Sequence, residues 1–222
     1  MTHASLTIIR QEHRALSAML RSTVLLLDEH RRRDTLPDFG ALRAMLFYVD
    51  EFPEKLHHPK ESQLLFESLR RRSAQADAIL ERLDREHARG EQAIRELEHL
   101  LLGLEVMSDT DQRAERYDAF HTTFSSYVRF YLEHMHIEER EVLPLAEELL
   151  DAGDWEEIDA AFLTNRDPLV GYEADEAYRP LFKKILDVLG RSNGVGANIG
   201  SVLEALSGTA PPKFPGGSSS SS

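Results

Sequence analysis

Four long segments with helical periodicity fill the first two thirds of this chain, and they constrain its fold more than any other feature. Apolar residues recur at intervals of three and four, which places them on one face of an α-helix. The segments span about residues 5–30, 39–70, 74–104 and 112–150, and patterns typical of strands are nearly absent. Because the connections are short and polar, consecutive helices must run antiparallel. The sequence therefore predicts an all-α, up-down-up-down four-helix bundle.

The rest of the chain divides into two further parts. Two shorter periodic pieces, at 155–163 and 174–189, predict one or two appended helices, the first of them capped by Asp154. The end of the chain is rich in Gly, Ser and Pro, a composition that buries too little to stay ordered. We therefore expect a bundle domain at 1–150, appended helices at 151–190 and a loose tail at 191–222.

The second helical segment contains two prolines, Pro53 and Pro59, in its interior. A proline there lacks the N–H that the helix needs, and its ring clashes with the carbonyl four residues earlier. Such a position predicts a kink or a π-bulge in the helix, and π-bulges are frequent at functional sites.

Composition excludes several classes of protein. The chain carries 39 acidic residues against 26 Lys and Arg, a net charge of −13, which argues against a nucleic acid or an anionic membrane as partner. It has no cysteine, so disulfides, iron–sulfur ligation by the chain and thiol catalysis are excluded. With neither a signal peptide nor an apolar stretch of about 20 residues, we expect a cytoplasmic protein.

Each helical segment directs one histidine towards the core, because His13, His57, His87 and His134 interrupt the four apolar stripes. These histidines also lie at one height in the bundle. His57, for example, is 15 residues before the turn at Arg72, and His87 is 15 residues after it. In an antiparallel pair, equal distances from the turn mean equal height. The four imidazoles are therefore expected to meet in one layer.

Two of these histidines are followed by a glutamate four residues later on the same face, as His57–Glu61 and His134–Glu138. A single core histidine is more often a satisfied hydrogen-bonding group than a metal ligand. Two buried carboxylates, however, are costly unless cations neutralise them. Four imidazoles and two carboxylates suit two metal ions, and nitrogen and oxygen donors with open positions favour iron over manganese or zinc.

The neighbours of these candidates are expected to turn about 100° away, as His58, His136 and the solvated acid Glu139 do on a regular helix. A bulge at Pro59 would swing His58 inward, where it either supports the site or replaces His57. Surface positions are expected for the remaining histidines, which are His3, His30, His99 and His121.

A ferritin-like metal site is the competing architecture, with a glutamate on two helices and Glu-x-x-His on the other two. The required residues exist: Glu54–His57 and Glu133–His136 have the spacing, and Glu12 and Glu86 lie near the same height. The stripes of His136 and Glu86 also carry arginines, so these faces are expected to point to water.

The motifs together resemble the hemerythrin-like (HHE cation-binding) domain family over about residues 5–150. They are RQEHRAL with His13, HHPKE with His57 and Glu61, REHARGE with His87, and HMHIEEREVLP with His134 and Glu138. The resemblance implies a four-helix bundle with a non-heme di-iron centre that binds dioxygen, nitric oxide or peroxide. It assigns His13 and His57 to one iron and His87 and His134 to the other, bridged by Glu61 and Glu138.

Two positions depart from the oxygen-carrying members. Those proteins place a second histidine on the third helix where this chain has Glu91, and they space the last pair by five residues where His134–Glu138 are four apart. At both positions the chain is similar to the bacterial iron–sulfur-repair and mammalian iron-sensing branches of the family. Glu91 is accordingly a candidate seventh ligand, or else a solvated charge near the site.

The donor residues and the resemblance together predict a non-heme protein with two iron ions, oxo- or hydroxo-bridged, and the resemblance implies a small diatomic or peroxide ligand as its partner. Sensing of, or defence against, oxygen, nitrosative or oxidative stress is the favoured role. The alternatives are a di-iron redox enzyme, or a protein of iron–sulfur-centre repair or iron delivery. Repair members usually carry a cysteine-containing N-terminal segment, and this chain has no cysteine.

Overall fold

The computed structural model describes residues 3–170, 172, 176 and 178–191, and all the regular structure in them is helical. The all-α bundle with appended helices is confirmed. The six helices of the described residues are α1 (Ala4–Arg32), α2 (39–72), α3 (Asp77–Val106), α4 (113–149), α5 (Ala152–Phe162) and α6 (Arg179–Arg191). None of them combines the length with the apolar character that a membrane span requires.

Two of the long helices contain π-helical segments. In α2 these are Asp50–His57 and Glu61–Phe66, on either side of a short α-helical turn, His58–Lys60. They confirm the irregularity that the two prolines predicted. A third π segment in α4, Glu138–Val142, was not anticipated. Each π segment begins or ends at a residue of a His-x-x-x-Glu motif, so the helix geometry changes where the candidate ligands lie.

The bundle core consists of two apolar clusters separated by a polar layer. In α1, for example, Ile9 belongs to one cluster and Leu16 to the other, and His13 lies between them. In α3, Leu83 belongs to one cluster and Ile94 to the other, and His87 lies between them. Apolar packing on both sides of the layer lowers the local dielectric constant, so charges within the layer interact strongly.

The appended helices pack on the outside of the bundle, α5 along α1 and α6 along the first part of α2. The α5 helix begins earlier than expected. Asp151, and not Asp154, is its N-cap, and Asp154 completes the capping box at the third helical position. Arg72 at the end of α2 binds both carboxylates. The second appended helix begins at Arg179, and the tail expected at 191–222 lies, beyond Arg191, outside the described residues.

Candidate metal centre

Five histidines and two glutamates from all four long helices meet in the polar layer. The α1 helix contributes His13, α2 contributes His57, His58 and Glu61, α3 contributes His87, and α4 contributes His134 and Glu138. All are buried except His87, whose side chain is 9% exposed. Six of the seven residues in the predicted ligand set are therefore brought together, along with His58.

The carboxylates of Glu61 and Glu138 occupy the centre of the layer. Glu61 Oε1 lies 3.0 Å from His57 Nε2, and its Oε2 lies 3.6 Å from His87 Nε2. Glu138 Oε1 lies 3.2 Å from His134 Nε2, and its Oε2 lies 3.5 Å from His13 Nε2. Glu138 Oε1 also lies 3.6 Å from His87 Nε2, so Glu61 links histidines of two helices and Glu138 links histidines of three.

The burial and the missing hydrogen-bond partners of these two carboxylates indicate whether the residues fit metal ions. Glu61 and Glu138 are 0% and 1% exposed, and none of their four oxygens has a hydrogen-bond partner. Removing a carboxylate from water costs several kcal/mol unless ion pairing or coordination compensates for it. Imidazole nitrogens and carboxylate oxygens are also the donors that iron, zinc and manganese accept. The donor set fits bound cations.

The donor atoms form two outer groups and a third group between them that contains both glutamates. His13, His57 and Glu61 place one donor atom each within 4.8 Å of one another. His58, His87 and His134 do the same on the other side, and Glu61, His87 and Glu138 form a third group between them. The arrangement offers two neighbouring cation positions with carboxylates between them.

Each of the five histidines has a polar partner at Nδ1, on the side away from the carboxylates. The partners are Glu139 for His13 at 3.1 Å, Glu12 for His57 at 2.5 Å, Glu54 for His58 at 3.1 Å, Ser62 for His87 at 2.9 Å and Glu86 for His134 at 2.9 Å. Metal-binding histidines almost always donate their second N–H in this way, which fixes the ring and its tautomer.

Three sequence-based expectations about these neighbours need correction. Glu86 does not point to water, because its carboxylate contacts His134 and its side chain is only 15% exposed. Glu139 is not a free surface acid, because it contacts His13. His58 is buried beside His57, since the π turns around Pro59 rotate both imidazoles inward. The interior prolines were the signal for this inward turn of His58.

The ferritin-like alternative is not formed. Glu133 and His136 are exposed, and Glu12, Glu54 and Glu86 contact the outer nitrogens of the histidines.

Glu91 lies apart from the donor groups. Its side chain is 53% exposed and lies 3.8 Å from Arg95. It lines a surface pocket of about 190 Å³ whose wall includes His58 and His87. The geometry matches the second reading of Glu91, a charge close to the site.

Comparison with known families agrees with this geometry. Residues 4–146 match the model of the hemerythrin HHE cation binding domain. The chain belongs to this family. The match covers the four long helices and ends before α5. Comparisons with curated proteins and with solved structures find no match.

Charge within the HHE domain is distributed so that the Glu138 carboxylate remains ionised. Burial raises the pKa of Glu138, but the neighbouring His134 outweighs burial and holds that pKa well below its usual range. Burial lowers the pKa of His134, and Glu138 and Glu86 more than reverse this, raising it to about 10. Burial and the other imidazoles hold the pKa of His58 well below its usual range. His58 is therefore neutral at pH 7, the state that binds a metal.

A small cavity adjoins one side of the HHE centre. His13, His57 and His58 are among its polar lining residues, and Leu16, Phe52 and Met135 are among its apolar ones. Its volume is about 20 Å³, which holds about one water-sized molecule.

Two buried tyrosines of α4 lie above the histidine layer. The Tyr131 hydroxyl donates to Glu54, and the Tyr131 ring centre is 5.7 Å from that of His58. Gly90 on α3 makes room for this contact, since a Cβ there would lie 2.8 Å from Glu54 Oε1. Tyr127 packs against Tyr131 with ring centres 4.9 Å apart.

Proposed function

We propose that this chain is a non-heme di-iron protein that binds dioxygen, nitric oxide or peroxide at its HHE centre. One iron would be held by His13 and His57 and the other by His58, His87 and His134, with Glu61 and Glu138 between them. One observation carries the proposal: four buried carboxylate oxygens without hydrogen-bond partners face Nε2 atoms on all four long helices.

The choice of iron rests on the donor chemistry. Five imidazoles and two carboxylates include no thiolate, which argues against the soft-metal sites that use cysteine. Three imidazoles on one side and two on the other give the two ions unequal donor sets. An ion beside His13 and His57 would have fewer protein donors, and it would therefore keep more positions open for an external ligand.

The position of the cavity favours a small ligand on that same side. His13 and His57 both line it, beside apolar residues that include Leu16 and Met135. When bound, the iron pair supplies reversible one-electron redox chemistry and an affinity for such ligands. The protein supplies orientation, because Glu12 and Glu139 fix the imidazole rings of His57 and His13. Sensing of, or defence against, oxygen, nitrosative or oxidative stress follows as the proposed role.

A redox enzyme is the second candidate, and the buried Tyr131 favours it. Its hydroxyl donates to Glu54, which in turn contacts His58. A phenol so placed can deliver a proton towards the centre. Repeated consumption of hydrogen peroxide with a supplied reductant would assign the enzyme role. Stoichiometric binding without turnover would assign the sensing role.

Anaerobic titration with ferrous iron tests the proposal directly. We expect saturation at two irons per chain, followed by near-ultraviolet oxo-bridge absorption in air and its loss with dithionite. Addition of nitric oxide to the reduced protein should produce a new visible absorption. Saturation at one iron, or at many, would contradict the di-iron proposal in favour of a mononuclear site or an iron store.

A further inference from the structure

The segment that follows α5 contacts the metal centre, although it lies beyond the family match, which ends at residue 146. Phe162, the last residue of α5, packs edge-on against the His57 ring, with centres 5.7 Å apart. Asn165, Arg166 and Asp167 line the cavity beside the site. The appended segment thus forms part of the wall around the candidate iron ligands.

Asn165 makes the most specific of these contacts. It is 3% exposed, and its Nδ2 donates to Glu12 Oε2 at 3.1 Å. The same oxygen lies 2.5 Å from His57 Nδ1, while Glu12 Oε1 has no hydrogen-bond partner. Asn165 and His57 therefore converge on one carboxylate oxygen, which fixes the rotation of the Glu12 side chain.

The orientation of the Asn165 amide is itself determined. Lys60 Nζ donates to Asn165 Oδ1, and since an ammonium group only donates, this contact assigns the oxygen to the Lys60 side. The amide nitrogen must then face Glu12. Backbone bonding adds to this constraint, because the Asn165 N–H donates to the Phe162 carbonyl at 2.9 Å.

We propose that Asn165 is a positioning residue of the metal centre, which acts through Glu12 on His57. The inference rests on the proposed di-iron function. A carboxylate that accepts from Nδ1–H keeps the imidazole in the tautomer whose Nε2 binds metal, and it makes that nitrogen a better donor. Without Asn165, Glu12 is free to rotate, and water gains access to the His57 N–H through the enlarged cavity.

Proton NMR of the diferrous protein can test this inference directly, because the N–H protons of iron-bound histidines give shifted signals that exchange with solvent. In Asn165→Ala we expect the His57 signal, assigned by its loss in His57→Ala, to exchange faster. The exchange rate should increase on the order of tenfold. Loss of an outer hydrogen-bond partner usually lowers metal affinity by about 10- to 100-fold, and we expect an effect at the low end of that range. The N–H signals of His87 and His134 should be unchanged.

Thr164→Ala is the matched control, since it lies in the same segment and also contacts Lys60, but does not touch Glu12. It should leave the His57 signal as in the wild type. Equal acceleration in both variants would overturn the inference, because it would indicate a loosened segment. An unchanged His57 signal in Asn165→Ala would overturn it as well.

A second variant covers the case in which Asn165→Ala does not fold. Asn165→Leu keeps about the same volume but has no group that can donate to Glu12, so it should also accelerate the His57 exchange. Unchanged exchange in Asn165→Leu would overturn the inference. A wild-type protein without shifted N–H signals would instead contradict the di-iron function, which separates the two failures.

Discussion

His57 and His58 are adjacent in the chain, yet they belong to opposite halves of the metal centre. His57 groups with His13 and Glu61, whereas His58 groups with His87 and His134. Their rings are nearly perpendicular, at 81°, with centres 5.8 Å apart. The π-helical turns of α2 make this possible, because they rotate both side chains into the core. One helix therefore contributes an imidazole to each of the two proposed iron positions.

Removal of a central carboxylate should cost one iron. In Glu138→Ala, two cations would lie close together with less negative charge between them, so we expect about one iron per chain after anaerobic loading. The near-ultraviolet absorption of the oxidised form should fall with it. Glu141→Ala is the control, because this residue of the same π segment is exposed. Two irons and an unaltered spectrum in Glu138→Ala would contradict its bridging position.

His58 should matter for metal binding and His136 should not. His58 directly follows His57, and His136 lies two residues after His134. His58 is buried beside His87 and His134, whereas His136 is exposed. His58→Ala removes one of three imidazoles on its side, so iron there should be lost to a chelator at least about tenfold faster. Equal release from the His58→Ala and His136→Ala proteins would exclude His58 as a ligand.

Glu91→Ala should keep both irons. Its side chain is half exposed and lies near Arg95, so its removal leaves the seven inward donors unchanged. The rate of iron uptake is the informative measurement, since Glu91 lines the pocket that leads to His58 and His87. A loss of iron at saturation would instead make Glu91 a ligand.

Metal removal should destabilise the bundle. The buried oxygens of Glu61 and Glu138 have no hydrogen-bond partner, so we expect bound cations to stabilise them. A ligand present at a hundredfold excess over its Kd stabilises by about 2.7 kcal/mol. For a chain of this size we expect the melting temperature to fall by at least about 5 °C on exhaustive chelation. In Glu61→Gln/Glu138→Gln the drop should be much smaller. Identical melting of the loaded and metal-free wild type would show that the layer is stable without cations.

Asp167 should make stability depend on pH. Burial, followed by the nearby charge of Glu12, raises its pKa to about 7, and the hydrogen bond from Tyr48 only partly opposes this. An unfolded aspartate titrates near about 3.9, so the folded state binds the proton more tightly. The free energy of unfolding should therefore fall as the pH rises from about 4 to about 7.

Asp167→Asn removes this contribution and should flatten the dependence. Urea unfolding of the metal-free wild type and variant at pH 5 and pH 8 gives the comparison. If the free energy of unfolding changed equally between pH 5 and pH 8 in the two proteins, Asp167 would not titrate in this range.

The sequence alone determined the four long helices and the height of the histidine layer. Both are local properties, because helical periodicity and the distance from each turn can be read from the spacing of residues. The same spacing placed Glu61 and Glu138 beside His57 and His134, four residues away on one face. The interior prolines of α2 also indicated where the helix becomes irregular.

Only the tertiary structure decided which groups surround this layer. Glu12 meets His57 across 45 residues of sequence and Asn165 meets Glu12 across 153, and no helical period links such positions. The inward turn of both His57 and His58 depends on a change of helical register that the regular 100° rotation does not describe. Contacts of this kind arise from how helices pack against each other, which is why two of the outer partners, Glu86 and Glu139, were expected from the sequence to face water.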